Sequence, residues 1–399
     1  MKLNILPIAL LLSLQAFAQS YKPALAPYVK FLNQQNTTGA DYVLELFRKY
    51  DLVIICERAH PEITQYDLFL SIIGDPRFID SVGNVFTEIG ISTQAEQVNA
   101  FLHTEDLPSD SVDKVILGFQ RNCSFYPVWE SFNYSYFLHG VYNINQGLPQ
   151  DKKINVFNSD VPFDWNTIDS VKLKAFWDHL ADRDSIIASL VIQQFDRIDS
   201  SRSKRHKALV VMNYRHAFGH RFESRKGIKP DNVGRYLFDR YGDRVANVYL
   251  NAFAIRNVKS DNDMGFAAIQ DGKWDAAFKV LAIDDRGFDF KNSPFGRDTF
   301  DIWPMKVDFR YEDVFDGFVF YVPLEKQKLV PGVPGLIDSS FSQEIKRRFA
   351  LFSTLPGGRF KPLTDKDLEG LKQDVNGKRE RPMFMLDSLN VEIKKWTQE

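Results

Sequence analysis

The sequence predicts an α/β fold: a mostly parallel central sheet flanked by helices on both faces, with helical and loop insertions. Three observations lead there. Short apolar runs such as Leu52-Val53-Ile54-Ile55-Cys56 and Ala208-Leu209-Val210-Val211-Met212 are rich in Val and Ile without polar alternation, as strands covered on both faces are. These runs alternate with helical stretches, the pattern of parallel strands joined by crossover helices. Several runs also end in ionisable residues. Crossovers share one hand, so those ends fall on one edge of the sheet, where open α/β sheets gather their ligands.

In chain order, Asp41 to Tyr50 reads as an amphipathic helix with Val43, Leu44, Leu46 and Phe47 on one face. Leu52 to Cys56 is the first strand. Glu62 to Ile73 is helical and is stopped by Gly74-Asp75-Pro76. Asn84 to Thr87 is the second strand, ending at Glu88, and a helix runs from Gln94 to about Leu102. Pro127 to Asn145 reads as one long aromatic helix containing Trp129, Phe132, Tyr136 and Phe137. The third strand, Lys153 to Phe157, runs on to Asp160, and Val171 to Ser200 holds one or two helices. Lys207 to Met212 is the fourth strand, ending at Asn213-Tyr214-Arg215-His216. Asp231 to Tyr241 is a helix closed by Gly242, where a left-handed residue is wanted. Arg244 to Leu250 and Phe318 to Val322 are further strands. Val258 to Tyr311 reads as loops and short strands, and the tail beyond Lys361 as charged and peripheral.

The chain opens with Lys2, an apolar stretch from Ile5 to Leu14 and the small-residue site Ala16-Phe17-Ala18, the layout of a secretory leader cleaved after Ala18. No Cys follows that site, so export to a periplasm or the exterior without a lipid anchor is expected. The expected division is a leader over 1–18, an N-terminal segment over 19–40, an α/β domain over 41–325 and a C-terminal extension over 326–399 that packs on or trails it. No later stretch has the length and apolarity of a membrane span. With 50 Lys+Arg against 52 Asp+Glu, the net charge of −2 gives no argument for a nucleic-acid partner. The 34 Phe suit a large core and a cleft for a small molecule or peptide. Only Cys56 and Cys123 are present. Cys56 sits in a central strand, where a thiol acts as a small hydrophobe, so both are expected unpaired.

The strand ends supply Glu57 and His60, Glu88, Asp160, and Asn213 with His216. Carboxylates facing imidazoles suit general acid–base work. His60, Glu88 and His216 could equally ligate Zn²⁺ or Mn²⁺. Each residue has a plainer explanation: Asp160 as a helix cap, Glu57 as a solvated acid at a helix start, His216 as an ordinary surface histidine. Their joint placement at successive strand ends favours a site. His220, with Arg221 and Arg225, makes an anion-binding rim or, more simply, a solvated loop. His103, His139, His179 and His206 suggest nothing. No Gly-rich phosphate loop is present, and a G-x-S-x-G elbow is also absent, which counts against an ordinary Ser-nucleophile α/β-hydrolase.

At these residues the chain resembles the erythromycin-esterase-like proteins, within a wider group that includes the ChaN-like haem-binding and TraB/Tiki proteins. The strand followed by Glu57-Arg58-Ala59-His60 is similar to that family's Gly-Glu-x-x-His opening, with Cys56 in place of Gly. Val85-Phe86-Thr87-Glu88, Val128-Trp129-Glu130 through Tyr142-Asn143, Val156 to Asp160, Asn213 to His216, and Gly234 through Asp243 resemble its later motifs in order. Two family positions differ: Asn213 stands where the first His of the second histidine motif is expected, and apolar Leu68 and Phe69 fall where an Arg is expected.

The resemblance implies a hydrolase that activates water with a Glu–His pair and attacks an ester, lactone or amide. His60 would be the base, Glu57 or Glu88 its partner, and His216 the oxyanion or leaving-group residue. Asp160, Asn213, Arg215 and His220 would contact substrate. The cofactor is none or a divalent metal. The alternatives are a haem or metal carrier of ChaN type, or a family member that kept the fold and lost the activity.

Overall fold

The strands foreseen from the sequence lie side by side as the spine of one sheet in the computed structural model, which describes residues 21–201, 203–219, 232–257, 264–302, 309–358 and 360–397. They are β1 (Leu52–Glu57), β2 (Asn84–Ile91), β3 (Asn155–Asp160), β4 (Ala208–Asn213) and β5 (Val245–Leu250). A ribbon of β6 (Phe253–Asn257) and β7 (Met264–Ala268) follows, then β8 (Asp285–Asp289) and β9 (Gly317–Tyr321). Among the described residues the main sheet runs β3-β2-β4-β1-β5-β9-β8. Every pairing in it is parallel except the edge pair β8–β9. The predicted fold class is therefore the observed one.

The non-alternating pattern has a direct cause. In β1, Leu52, Ile54 and Cys56 pack into one core with Val210 and Met212. Val53 and Ile55 pack into the opposite core with Leu209 and Val211. Both faces are covered, so neither selects polar residues. Cys56 and Cys123 are free, buried and in different cores, as expected.

The helices sit close to their predicted places. Gly39–Leu46 is capped by Thr38, whose Oγ1 accepts from the Asp41 amide at 3.1 Å. Val233–Tyr241 ends at Gly242 with φ +55°. Three readings need correction. Helix Ser109–Asn122 was not foreseen, because its inner face is Val112, Ile116 and Gln120 and the buried Gln120 interrupts the apolar period. The long aromatic helix begins only at Asn133. Before it, Phe132 N and Glu130 O pair with Val330 O and Gly332 N, so a later strap ties 130–132 down outside the helix. The stretch expected to be loops and short strands also contains helix Lys273–Val280. β8 itself, Asp-Arg-Gly-Phe-Asp, is polar because it is an edge strand. Its Asp285 and Asp289 accept hydrogen bonds from Gly39 N and Tyr42 Oη, each at 2.7 Å.

Beyond β9, Arg348 of helix Ser342–Phe352 is buried and donates to Arg121 O at 2.6 Å, while Trp396 donates to Asp271 O at 2.8 Å. Within the tail itself Leu368, Val375, Leu389 and Ile393 are buried, so it packs on the domain. The leader positions 1–18 fall outside the described residues. Among the described residues no helix is long and apolar enough to cross a membrane.

Ile54 is fully buried at the centre of the sheet. Ile54→Ala is expected to cost about 2–5 kcal/mol of unfolding free energy, read from the urea midpoint at unchanged m-value.

Candidate active site

Lateral strand order turns residues far apart in sequence into a row. Reading β3-β2-β4-β1, the carboxyl ends present Asp160, Glu88, Asn213 and Glu57. Glu57 and Asn213 are direct register partners. One expectation is corrected: β2 does not end at Glu88 but continues to Ile91. Its register against β3 slips between Thr87 and Ile91. Gly90 permits this at φ +110°, where a Cβ would lie 2.6 Å from the Asn158 side chain. Such a bulge re-aims a side chain, and here it sets Glu88 against the end of β4, where its Oε2 accepts from the Asn213 amide at 2.8 Å.

The turn after β1 places His60. Arg58 is buried; its guanidinium donates to Glu62 at 2.9 Å, to Asn251 Oδ1 at 2.6 Å and to the Tyr321 carbonyl. Gln65 accepts from Arg58 N at 2.6 Å and donates to the Ala59 and Glu62 carbonyls. Glu62 in turn accepts from the amides of Thr64 and Gln65, which opens helix Thr64–Ile73. A strap at 328–330 pairs with Pro61 and Ile63 from the other side. Within this fixed turn His60 Nδ1 lies 2.6 Å from Glu57 Oε2. The other Glu57 oxygen accepts from the Tyr66 hydroxyl. The Trp129 ring lies against His60, with centroids 5.3 Å apart.

Burial alone would strip His60 of its proton, but the charges of Glu57 and then Glu88 outweigh it and raise its pKa to about 9. Glu88 is buried too, which favours its neutral form. His216, Arg183 and His60 together with the Asn213 amide reverse this and hold its carboxyl far below the usual range. The contacts are 3.4 Å from His216 Nε2, 3.2 Å from Arg183 Nη2 and 3.9 Å from His60 Nε2, all to Oε1. Arg183 also donates to Asp160 Oδ1 at 2.8 Å. Burial raises the Asp160 pKa in spite of that cation. His216 Nδ1 lies 2.8 Å from Asp184. Burial opposes its charge, but Glu88 and Asp184 prevail and its pKa is raised.

The structure thus brings Glu57, His60, Glu88, Asp160 and His216 into one cluster. Asn213 is beside them, with its side chain spent on the protein: it donates to Arg58 O at 2.7 Å and accepts from Arg215 N and Nε. Arg215 is exposed at the rim. His220, Arg221 and Arg225 lie outside the described residues. Leu68 and Phe69 are fully buried in the core. The cation of the cleft comes instead from Arg183, at the start of helix Arg183–Asp199, with Asp184 next to it. Neither stood out in the sequence, because an Arg-Asp pair opening a polar helix looks like ordinary solvated surface. Tyr66 lies within the helix foreseen over Glu62 to Ile73 and has no polar signal of its own there.

Among the described residues, Glu57, His60 and Glu88 each offer a ligand atom, all within 4.8 Å of one another, a spacing that admits a metal ion. His216, expected as a ligand, is not part of that group.

No family model matches the chain, and no curated protein matches it in sequence. Solved structures similar to it include an erythromycin esterase mutant in its open conformation, at 10% identity, 75% of this chain, 96% of that chain and a TM-score of 0.44. A Bacillus cereus protein gives 14% identity, 74% and 96% coverage and 0.44. ChaN of Campylobacter jejuni, whose structure carries cofacially bound haem, gives 16%, 55%, 88% and 0.31. Likenesses this distant carry no argument about activity or ligand.

The raised His60 pKa makes a stability prediction. Below about pH 6.5 both folded and unfolded chains hold this proton and the Glu57–His60 contribution is complete. Between there and about 9 only the folded chain keeps it, so stability falls as pH rises. Across that window the wild type is expected to lose up to about 3 kcal/mol more than His60→Gln, measured by urea unfolding at pH 6 and pH 10. Equal losses in the two proteins would contradict it.

Proposed function

We propose that this chain is an exported hydrolase that activates water on the Glu57–His60 pair and attacks an ester, lactone or amide carbonyl. One observation carries the reading. His60 Nε2 and Glu88 Oε1 are 3.9 Å apart, too far for a direct hydrogen bond and suited to one water held by both. In its neutral form His60 takes a proton from that water at Nε2, while Glu57 at Nδ1 stabilises the imidazolium that forms. The oxygen adds to the carbonyl carbon. Arg183 and the His216 imidazolium, which both face Glu88 Oε1, supply positive charge beside it for the developing oxyanion. As the tetrahedral species collapses, a proton from His216 or His60 passes to the leaving group.

A resident metal fits this site poorly despite the spacing. Both Glu88 oxygens already face cationic or amide donors, and both Glu57 oxygens have partners. A divalent ion would have to displace Arg183 from Glu88, so the guanidinium stands where a metal's charge would act. Export rests on the leader pattern of residues 1–18.

A panel of p-nitrophenyl esters, lactones and peptide anilides, with and without chelator, tests the reading. Hydrolysis is expected to survive chelation. It should rise with pH toward about 9 as His60 loses its proton. His60→Ala and Glu88→Gln should each lower kcat by about 100-fold or more. Unchanged rates in both variants would sink the proposal. A Soret band on titration with haemin, without hydrolysis of any substrate, would point to a carrier instead.

A further inference from the structure

Glu57 is buried with one described partner on each oxygen, His60 on Oε2 and the Tyr66 hydroxyl on Oε1. The chain of contacts continues inward. Asn133, fully buried, donates from Nδ2 to the Tyr66 oxygen at 2.8 Å. The Oδ1 of Asn133 accepts from the Trp129 indole Nε1 at 3.1 Å. The same Trp129 packs its ring on His60, so the circuit closes on the residue where it began.

Trp129 fixes the bonds inward of Tyr66, and the acceptor-only Glu57 carboxylate fixes the two at its own oxygens. An indole N–H can only donate. Asn133 must therefore turn its oxygen to Trp129 and its amide nitrogen to Tyr66. The Tyr66 oxygen then accepts, and its own proton is left for Glu57. Burial and the neighbouring Glu57 charge raise the Tyr66 pKa well above its ordinary value, so it remains a donor. With a carboxylate that only accepts, His60 must carry its remaining proton on Nδ1. That leaves Nε2 bare toward the cleft, the form a general base needs.

We propose that Trp129, Asn133 and Tyr66 are positioning residues that hold Glu57 and, through it, the orientation of His60. The value of this for catalysis rests on the hydrolase reading; the circuit itself does not. Four elements contribute: β1 through Glu57, helix Thr64–Ile73 through Tyr66, helix Asn133–Asn145 through Asn133, and the segment before it through Trp129. The other charged groups facing His60 are Glu88 from β2 and Arg183 from helix Arg183–Asp199. None of the variants below touches them.

The test is histidine NMR on ¹⁵N-labelled full-length protein without substrate, with His60 assigned by its loss in His60→Gln. In the wild type the neutral form is expected to be protonated at Nδ1. Tyr66→Phe removes the hydroxyl that shares the Glu57 charge, leaving more of it on the oxygen facing His60. The His60 midpoint should then rise by about one pH unit, about tenfold in proton affinity. Trp129→Phe keeps a ring against His60 but frees Asn133 to turn, and should shift the midpoint the same way by less. This half-buried position also carries the test should Tyr66→Phe fail to fold. The rising limb of p-nitrophenyl acetate hydrolysis should move with the NMR midpoint. An Nε2–H tautomer in the wild type, or a midpoint that stays put or falls in both variants, would overturn the circuit while leaving the hydrolase reading standing. A shifted midpoint in a protein that hydrolyses nothing would do the reverse.

Discussion

The buried guanidinium of Arg58 is the constraint on which the active edge of the sheet depends. A charge taken out of water is tolerated only when its partners are fixed. Here they come from Glu62 in the following turn, Asn251 just past β5 and the Tyr321 carbonyl at the end of β9. The Arg58 backbone is held as firmly, its amide by Gln65 and its carbonyl by Asn213 at the end of β4. One residue therefore ties the carboxyl ends of β1, β4, β5 and β9 to the helix that carries Tyr66. Loss of one partner would leave an uncompensated buried charge, so the arrangement is far more specific than a hydrophobic contact of the same size. His60, two residues later, inherits that rigidity.

The charge pattern above this anchor is equally constrained. Glu88 Oε1 has three positive or chargeable groups within 3.9 Å, from β4's following turn, from the turn after β1 and from a helix start. Neither imidazole would keep its charge in a dry pocket alone. The Glu88 charge, with Glu57 beside His60 and Asp184 beside His216, raises both histidines against burial and against Arg183, while His216, Arg183 and His60 lower Glu88. Acid and base assignments separate in this way when environments push titrating groups apart. His60, paired through Nδ1 and half open at 22% exposure, is the group free to exchange a proton with the cleft.

Much of this was legible from period and punctuation. β1, β4 and β5 could be read because burial on both faces writes itself as unbroken Val and Ile. The row of Glu57, Glu88 and Asp160 followed from parallel topology alone. What escaped depended on contacts between distant segments. Trp129 was read as helical because aromatic spacing suggested it, whereas pairing with Val330 and Gly332 pulls 130–132 out of the helix and leaves the indole over His60. Glu88 was taken for a strand terminus because a bulge has no sequence mark beyond a single Gly90. Arg183 and Asp184 carry no periodic signal at all, since only the crossover returning from β3 brings their helix start over the strand ends.

Arg183 also reframes the substitutions that first set this sequence apart. Leu68 and Phe69 occupy positions where a cation was expected, and both are fully buried. A cation reached through either of them would have to cross the core. The cleft nonetheless contains a guanidinium, delivered from another helix and held by Glu88 and Asp160. Asn213, in place of an expected imidazole, is used as a brace between Arg58 and Arg215 rather than as a titrating group. An electrostatic site is defined by where charge sits, not by which element supplies it. Arg183, held by Glu88 and Asp160, and Asn213, bracing Arg58 and Arg215, together set the field at Glu88 from two different walls of the cleft.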